Sequence, residues 1–199
     1  MKTAYCFDLD GTLTKTEVLP CIASELGISD EMATLTQVTM DGHIDFEASF
    51  KLRCLILSRV PIEVVQKIIL DIPLDKSILK FIQSRRDSSF LVTGNLDVWV
   101  KPIAELCGCR LYSSEATQMS ESLKIEKILR KDTAIAGIRA LGFGRVVAVG
   151  DGANDIAMFN ASDISIAYGG VHSPAPGTIA ACNYVFHDGE VLCKMLEAL

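Results

Sequence analysis

Short apolar runs ending in Gly, Asp or Asn alternate along this chain with longer segments of helical spacing. AYCFDL, SFLVTG, RVVAVG, DISIAY and NYVFH are compact and rich in Val, Ile and aromatic residues, the pattern of buried strands. CRLYSS is a weaker strand of the same kind. DVWVKPIAELCG, DTAIAGIRALGFG and NDIAMFNAS carry helical periodicity between them. Strand–helix alternation predicts a parallel sheet with right-handed crossovers, a doubly wound, Rossmann-like α/β core.

The stretch from about Thr16 to Leu74 breaks this rhythm. DFEASFKLRCLILSRV places Phe46, Phe50, Leu52, Leu55 and Leu57 at helical spacing behind Asp45, an N-cap residue. Ser58 to Pro61 reads as a joint, and PIEVVQKIIL as a helix with Pro61 in its first turn. With no convincing strand in it, this segment predicts a small helical cap inserted after the first strand. The expected division is a core domain of residues 1–15 and 75–199 and a cap domain of residues 16–74.

At 199 residues and 49% hydrophobic, the chain can bury a core of this size. Its net charge of −6, from 25 acidic and 19 basic residues, offers no basic face for nucleic acid or anionic membrane. No apolar run reaches the roughly 18–20 residues of a membrane span, and MKTAYCFDLDG does not read as a signal peptide. The seven cysteines are scattered and mostly in apolar runs; Cys107 and Cys109 lack partners for a zinc site. A reducing, cytoplasmic location is expected. The histidines His43, His172 and His187 show no ligand spacing and read as loop residues, and Trp99 as core.

Chemistry concentrates at the ends of the apolar runs. In DLDGTLT, Asp8 and Asp10 lie two apart on an extended segment and so point to one side. Carboxylates that close repel, and a divalent cation relieves them. Gly11 lets the chain turn away, and Thr12 supplies a nearby hydroxyl. GDGAND places Asp151 and Asp155 about a helix start, oxygen ligands suited to magnesium. VTGN offers the Thr93 hydroxyl and the Gly94 amide, and Lys131 opens a helix where an ammonium and backbone amides can face an anion. In an open α/β sheet these strand ends share one crevice. A carboxylate nucleophile, a cation, a hydroxyl and a lysine around one point imply phosphoryl transfer, which needs positioning and charge neutralisation.

DLDGTLT, Thr93-Gly94, Lys131 and GDGAND, in this order, resemble the four motifs of the haloacid dehalogenase superfamily, and nearly the whole chain is similar to its phosphoserine phosphatase group. The resemblance implies that Asp8 is the phosphorylated nucleophile and Asp10 the general acid and then base. It gives Thr93, the Gly94 backbone and Lys131 the phosphoryl oxygens. Mg2+ falls to Asp8, the Asp10 carbonyl and Asp151, with Asp155 in support and Asn154 near the phosphate. Glu17 stands where the group receives the substrate's amino group, and Arg53, at the end of MDGHIDFEASFKLR, where it receives the carboxylate. Met40 and Phe46 fall at its apolar shielding positions. The implied reaction is hydrolysis of a small phosphomonoester, foremost phosphoserine.

Three features depart from the group. TGN replaces the common SGG and puts the Asn95 side chain beside the phosphate loop, and the segment between Arg110 and Lys131 is shorter than the usual hairpin. Lys131 is preferred to Lys124 and Lys127 because it begins a helix. Hydrolysis of a sugar or polyol phosphate, or transfer to another hydroxyl acceptor, are alternatives within the same chemistry. A non-catalytic receiver module fits less well, because Asp10 would have no proton to handle. Nothing in the sequence specifies an oligomeric state.

Overall fold

A computed structural model describes residues 1–40, 43–119 and 122–199, apart from the side chain of Met40. Its centre is a seven-stranded sheet in the order β4-β3-β2-β1-β5-β6-β7. These strands are β1 (Thr3–Phe7), β2 (Ser89–Leu96), β3 (Arg110–Gln118), β4 (Leu123–Lys127), β5 (Arg145–Gly150), β6 (Ile164–Tyr168) and β7 (Tyr184–Phe186). Every neighbouring pair is parallel except β3 and β4. The expected doubly wound α/β fold is therefore present, with an antiparallel β3–β4 hairpin at one edge. Sequence patterning does not reveal β4: LKIEK exposes its charged residues and buries only Leu123.

The sheet has an apolar layer on each face. One is built from Phe7, Leu91, Trp99, Ile103, Val147 and Val149 among others, the second from Cys6, Phe90, Ile135, Ile138, Val146 and Phe159. Strands buried on both sides read as unbroken apolar runs, which is why β1, β2 and β5 are legible in the sequence. Helices α6 (Asp97–Cys107), α7 (Lys131–Ala140) and α8 (Ile156–Ala161) fall where the periodicity places them.

Among the described residues, the segment 16–74 contains four helices and no named strand: α1 (Val18–Glu25), α2 (Ser29–Met40), α3 (Phe46–Leu57) and α4 (Ile62–Asp71). Asp45 caps α3 by accepting from the Ala48 amide at 3.0 Å. Pro61 stands just ahead of α4 rather than in its first turn. The two ends of the segment run side by side: the Lys15 amide donates to the Pro73 carbonyl (2.8 Å) and the Asp75 amide to the Leu13 carbonyl (2.8 Å). Asp75 then caps α5 (Lys76–Ser84), and its other oxygen accepts from the Tyr168 hydroxyl at 2.9 Å. That bond ties the return of the segment to the far half of the sheet.

Candidate active site

Strand register assembles the site. Phe7 lies level with Leu91 on β2 and Val149 on β5, so Asp8, Thr93 and Asp151 follow within one or two residues at adjacent strand ends. Strand order proceeds outward to opposite sides of β1, first through β2 and β3 and then through β5 and β6, and a crevice opens at such a point. Beyond Asp8 the loop Leu9–Leu13 turns through Gly11, at φ 67°. A Cβ at Gly11 would meet the Asp151 carboxylate, so only glycine lets these loops approach. Thr12 donates to Asp151 Oδ1 at 3.3 Å.

Lys131 reaches in from the first turn of α7. Its Nζ is 2.6 Å from both Asp8 Oδ1 and Asp155 Oδ1, with all three side chains buried. Lys124 and Lys127 instead lie on exposed β4 and pair with Glu126 and Glu115. An ammonium has three donors, so Lys131 keeps one for a further acceptor. Asp155 uses its second oxygen on the amides of Asp151 and Gly152, both at 3.0 Å, which pins the loop after β5. Its carboxylate thus serves the site as a brace.

Asp10 is clamped from two sides: Oδ1 accepts from the Val18 amide (2.7 Å) and Oδ2 from Asn95 Nδ2. Asn95 also donates to Thr93 Oγ1, from its backbone at 3.2 Å and from Nδ2 at 3.1 Å. With both acceptor positions used, the Thr93 hydroxyl proton is free for a ligand.

Charge is unbalanced here. Burial, then the Asp155 carboxylate, raise Asp8 well above the carboxylate range, and Lys131 only partly offsets them. Burial likewise raises Asp10 against its two hydrogen bonds. Burial and Asp155 push Asp151 up to about 6. Glu17 stays exposed at the cavity mouth, yet partial desolvation among the surrounding walls and the Asp10 and Asp151 carboxylates push it up to about 7. Lys131 moves the other way: burial opposes its charge, but Asp155 and Asp8 outweigh burial and hold it above its ordinary value. Carboxylate oxygens of Asp8, Asp151 and Asp155 all lie within 4.8 Å of one another. An all-oxygen set short of positive charge fits a hard divalent cation.

The crevice opens into a cavity of about 780 Å³ between the strand ends and helices α1–α3. Asp8, Asp10, Thr93, Gly94, Lys131, Asp151 and Asn154 line its floor; Glu17, Phe46 and Arg53 line its upper wall. Phe46 stacks on Phe50 with ring centroids 6.4 Å apart. Arg53 is buried, donates to Thr36 Oγ1 at 3.4 Å, and has an Nε without a hydrogen-bond partner among the described residues. The side chain of Met40 lies outside the described residues.

Sequence reasoning misses His172. In the loop after β6, its Nε2 donates to Asp151 Oδ2 at 2.8 Å, and Glu17 lies within reach of the same group. No spacing signals a contact across 21 residues that only the β5–β6 pairing creates.

Comparison with known proteins adds to this geometry. A family model described as haloacid dehalogenase-like hydrolase matches residues 2–163. The phosphoserine phosphatase of Methanocaldococcus jannaschii is 33% identical, the match covering 84% of this chain and 85% of that protein. That of Halobacterium salinarum is 29% identical over 98% of this chain and 97% of its own. The structure of a substrate-bound phosphoserine phosphatase complex superposes with a TM-score of 0.81 at 26% identity, covering 100% of this chain and 98% of the other.

Proposed function

Because the chain belongs to the haloacid dehalogenase-like hydrolases, and to their phosphoserine phosphatase-like group of phosphatases, we propose that it hydrolyses phosphoserine through a phosphoryl group carried on Asp8. The observation that carries this reading is the crevice itself: Lys131 holds Asp8 at 2.6 Å, with Asp10, Thr93 and Asp151 beside it under a walled cavity.

In the first step an Asp8 carboxylate oxygen attacks phosphorus as the ester P–O bond breaks opposite it. Asp10 passes its proton to the departing serine oxygen, so serine leaves as the neutral alcohol. In the second step Asp10 takes a proton from water, whose oxygen attacks the same phosphorus; the Asp8–phosphorus bond breaks and inorganic phosphate departs. Throughout, the Thr93 hydroxyl, the Gly94 amide and the free Lys131 donor hold the phosphoryl oxygens, with Asn154 alongside. Asp8, the Asp10 carbonyl and Asp151 would hold a magnesium ion, with Asp155 bracing the loop. Bound there, magnesium would supply the positive charge that this set of carboxylates lacks.

Residues 16–74 act as the cap, and residues 1–15 and 75–199 as the core. The cap supplies Glu17 for the substrate ammonium and Arg53 for its carboxylate, while Phe46 keeps water from the pair. An arginine whose buried Nε has no partner among the described residues suits a carboxylate acceptor, since its planar fork donates two parallel hydrogen bonds. The test is phosphate release from phosphoserine and from sugar and polyol phosphates, with magnesium and with excess EDTA. Phosphoserine should have the highest kcat/KM, and EDTA should abolish turnover. A sugar phosphate as the better substrate would overturn the substrate, and full activity in EDTA would overturn the metal.

A further inference from the structure

We propose that Asn95 is a positioning residue for the proton transfer at Asp10. The inference deepens the phosphatase reading above and rests on it. Asn95 is buried, two residues beyond Thr93, and its Nδ2 bridges Asp10 Oδ2 and Thr93 Oγ1. The two groups it joins do different work: Thr93 faces the phosphoryl group, and Asp10 serves the leaving oxygen. One amide therefore sets the distance between the phosphate subsite and the proton donor.

Lone-pair accounting shows what the bridge achieves. A carboxylate offers about four acceptor positions, two on each oxygen. The Val18 amide takes one on Oδ1 and Asn95 one on Oδ2. With both oxygens tied, the carboxyl cannot rotate about its Cβ–Cγ bond, and Oδ2 keeps one position for the transferred proton. During the first step that proton goes from Asp10 to the leaving oxygen while the ester P–O bond breaks; during the second the same position receives a proton from water. Asn95 gains or loses no proton in either step, and its contribution is orientation. A glycine at this position would keep the backbone donation to Thr93 and lose the link to Asp10.

Leaving-group dependence separates this role from a structural one. An alkoxide leaves poorly without a proton, whereas p-nitrophenolate needs none. In Asn95→Ala, kcat/KM for phosphoserine, which reports events only up to departure of the alcohol, should fall by about 10- to 100-fold while kcat/KM for p-nitrophenyl phosphate changes less than about threefold. Phenyl phosphate should fall between them. Activity on p-nitrophenyl phosphate also certifies that the variant is folded. Asn95→Asp, which keeps the shape of the side chain and removes its amide donors, should show the same ordering. Equal losses on all three esters would overturn the inference and reassign Asn95 to phosphate binding or folding; no loss on any would overturn it outright. Where wild type prefers another alkyl phosphate, the substrate reading fails, and the Asn95 comparison is decided on that ester. Turnover of no ester by wild type would overturn both.

Discussion

His172 and Asp151 form a 2.8 Å contact that joins the loop after β6 to the end of β5. Thr12 holds the other oxygen of the same carboxylate, so Asp151 is oriented from both sides. Partners that orient a metal-binding carboxylate typically change metal affinity by about 10- to 100-fold when removed. His172→Ala should accordingly raise the magnesium concentration for half-maximal activity by about tenfold or more, with most of kcat recovered at saturation. A magnesium titration of the two proteins checks this; superimposable curves would show that His172 does not orient the ligand.

Substitution of Arg53 tests substrate recognition apart from the chemistry at Asp8. Arg53 lies on the α3 wall of the cavity whose floor carries Asp8 and Lys131. Arg53→Ala should lower kcat/KM for phosphoserine by about 10- to 1000-fold, equivalent to about 1.5–4 kcal/mol of charged hydrogen bonding. Turnover of p-nitrophenyl phosphate, which has no carboxylate, should barely change. Equal damage to both would remove the amino acid carboxylate from the account.

Stability should depend on pH in an unusual direction when no metal is bound. Asp151 is pushed from 3.8 up to about 6 and Glu17 from 4.5 up to about 7, and Asp8 and Asp10 are raised as well. The folded protein thus binds these protons more tightly than the unfolded chain. The stability they contribute is full below the unfolded values and is lost as pH rises through about 6 and about 7; buried Asp151 carries a larger share than exposed Glu17, which solvent screens. In EDTA, Tm should fall by about 3 °C or more between about pH 4.5 and about pH 7.5. Magnesium should flatten that fall by neutralising the carboxylates. A Tm in EDTA that holds level or rises over this interval would contradict the charge balance described for the crevice.

How much of this was legible depended on whether the signal was local. Strands β1, β2 and β5 are buried on both faces, so their apolar runs mark them, and each run ends at a residue of the crevice. Asp45 reads as a cap because capping involves only the next three residues. Strand β4 has one buried residue and therefore no period to detect. The contact of Asn95 with Asp10 spans 85 positions and that of His172 with Asp151 spans 21; both follow from strand register, which periodicity does not encode. Sequence places Asn95 beside the phosphate loop, and only the structure reveals that it holds Asp10.

The central claim is that Asp8 carries the phosphoryl group. Rapid acid quenching of the enzyme during turnover of phosphoserine, followed by peptide mass spectrometry, tests it most directly. The account predicts a phosphoryl mass on the peptide containing Asp8, and its absence together with turnover in Asp8→Asn. Phosphate on a different residue, or undiminished turnover by Asp8→Asn, would contradict it.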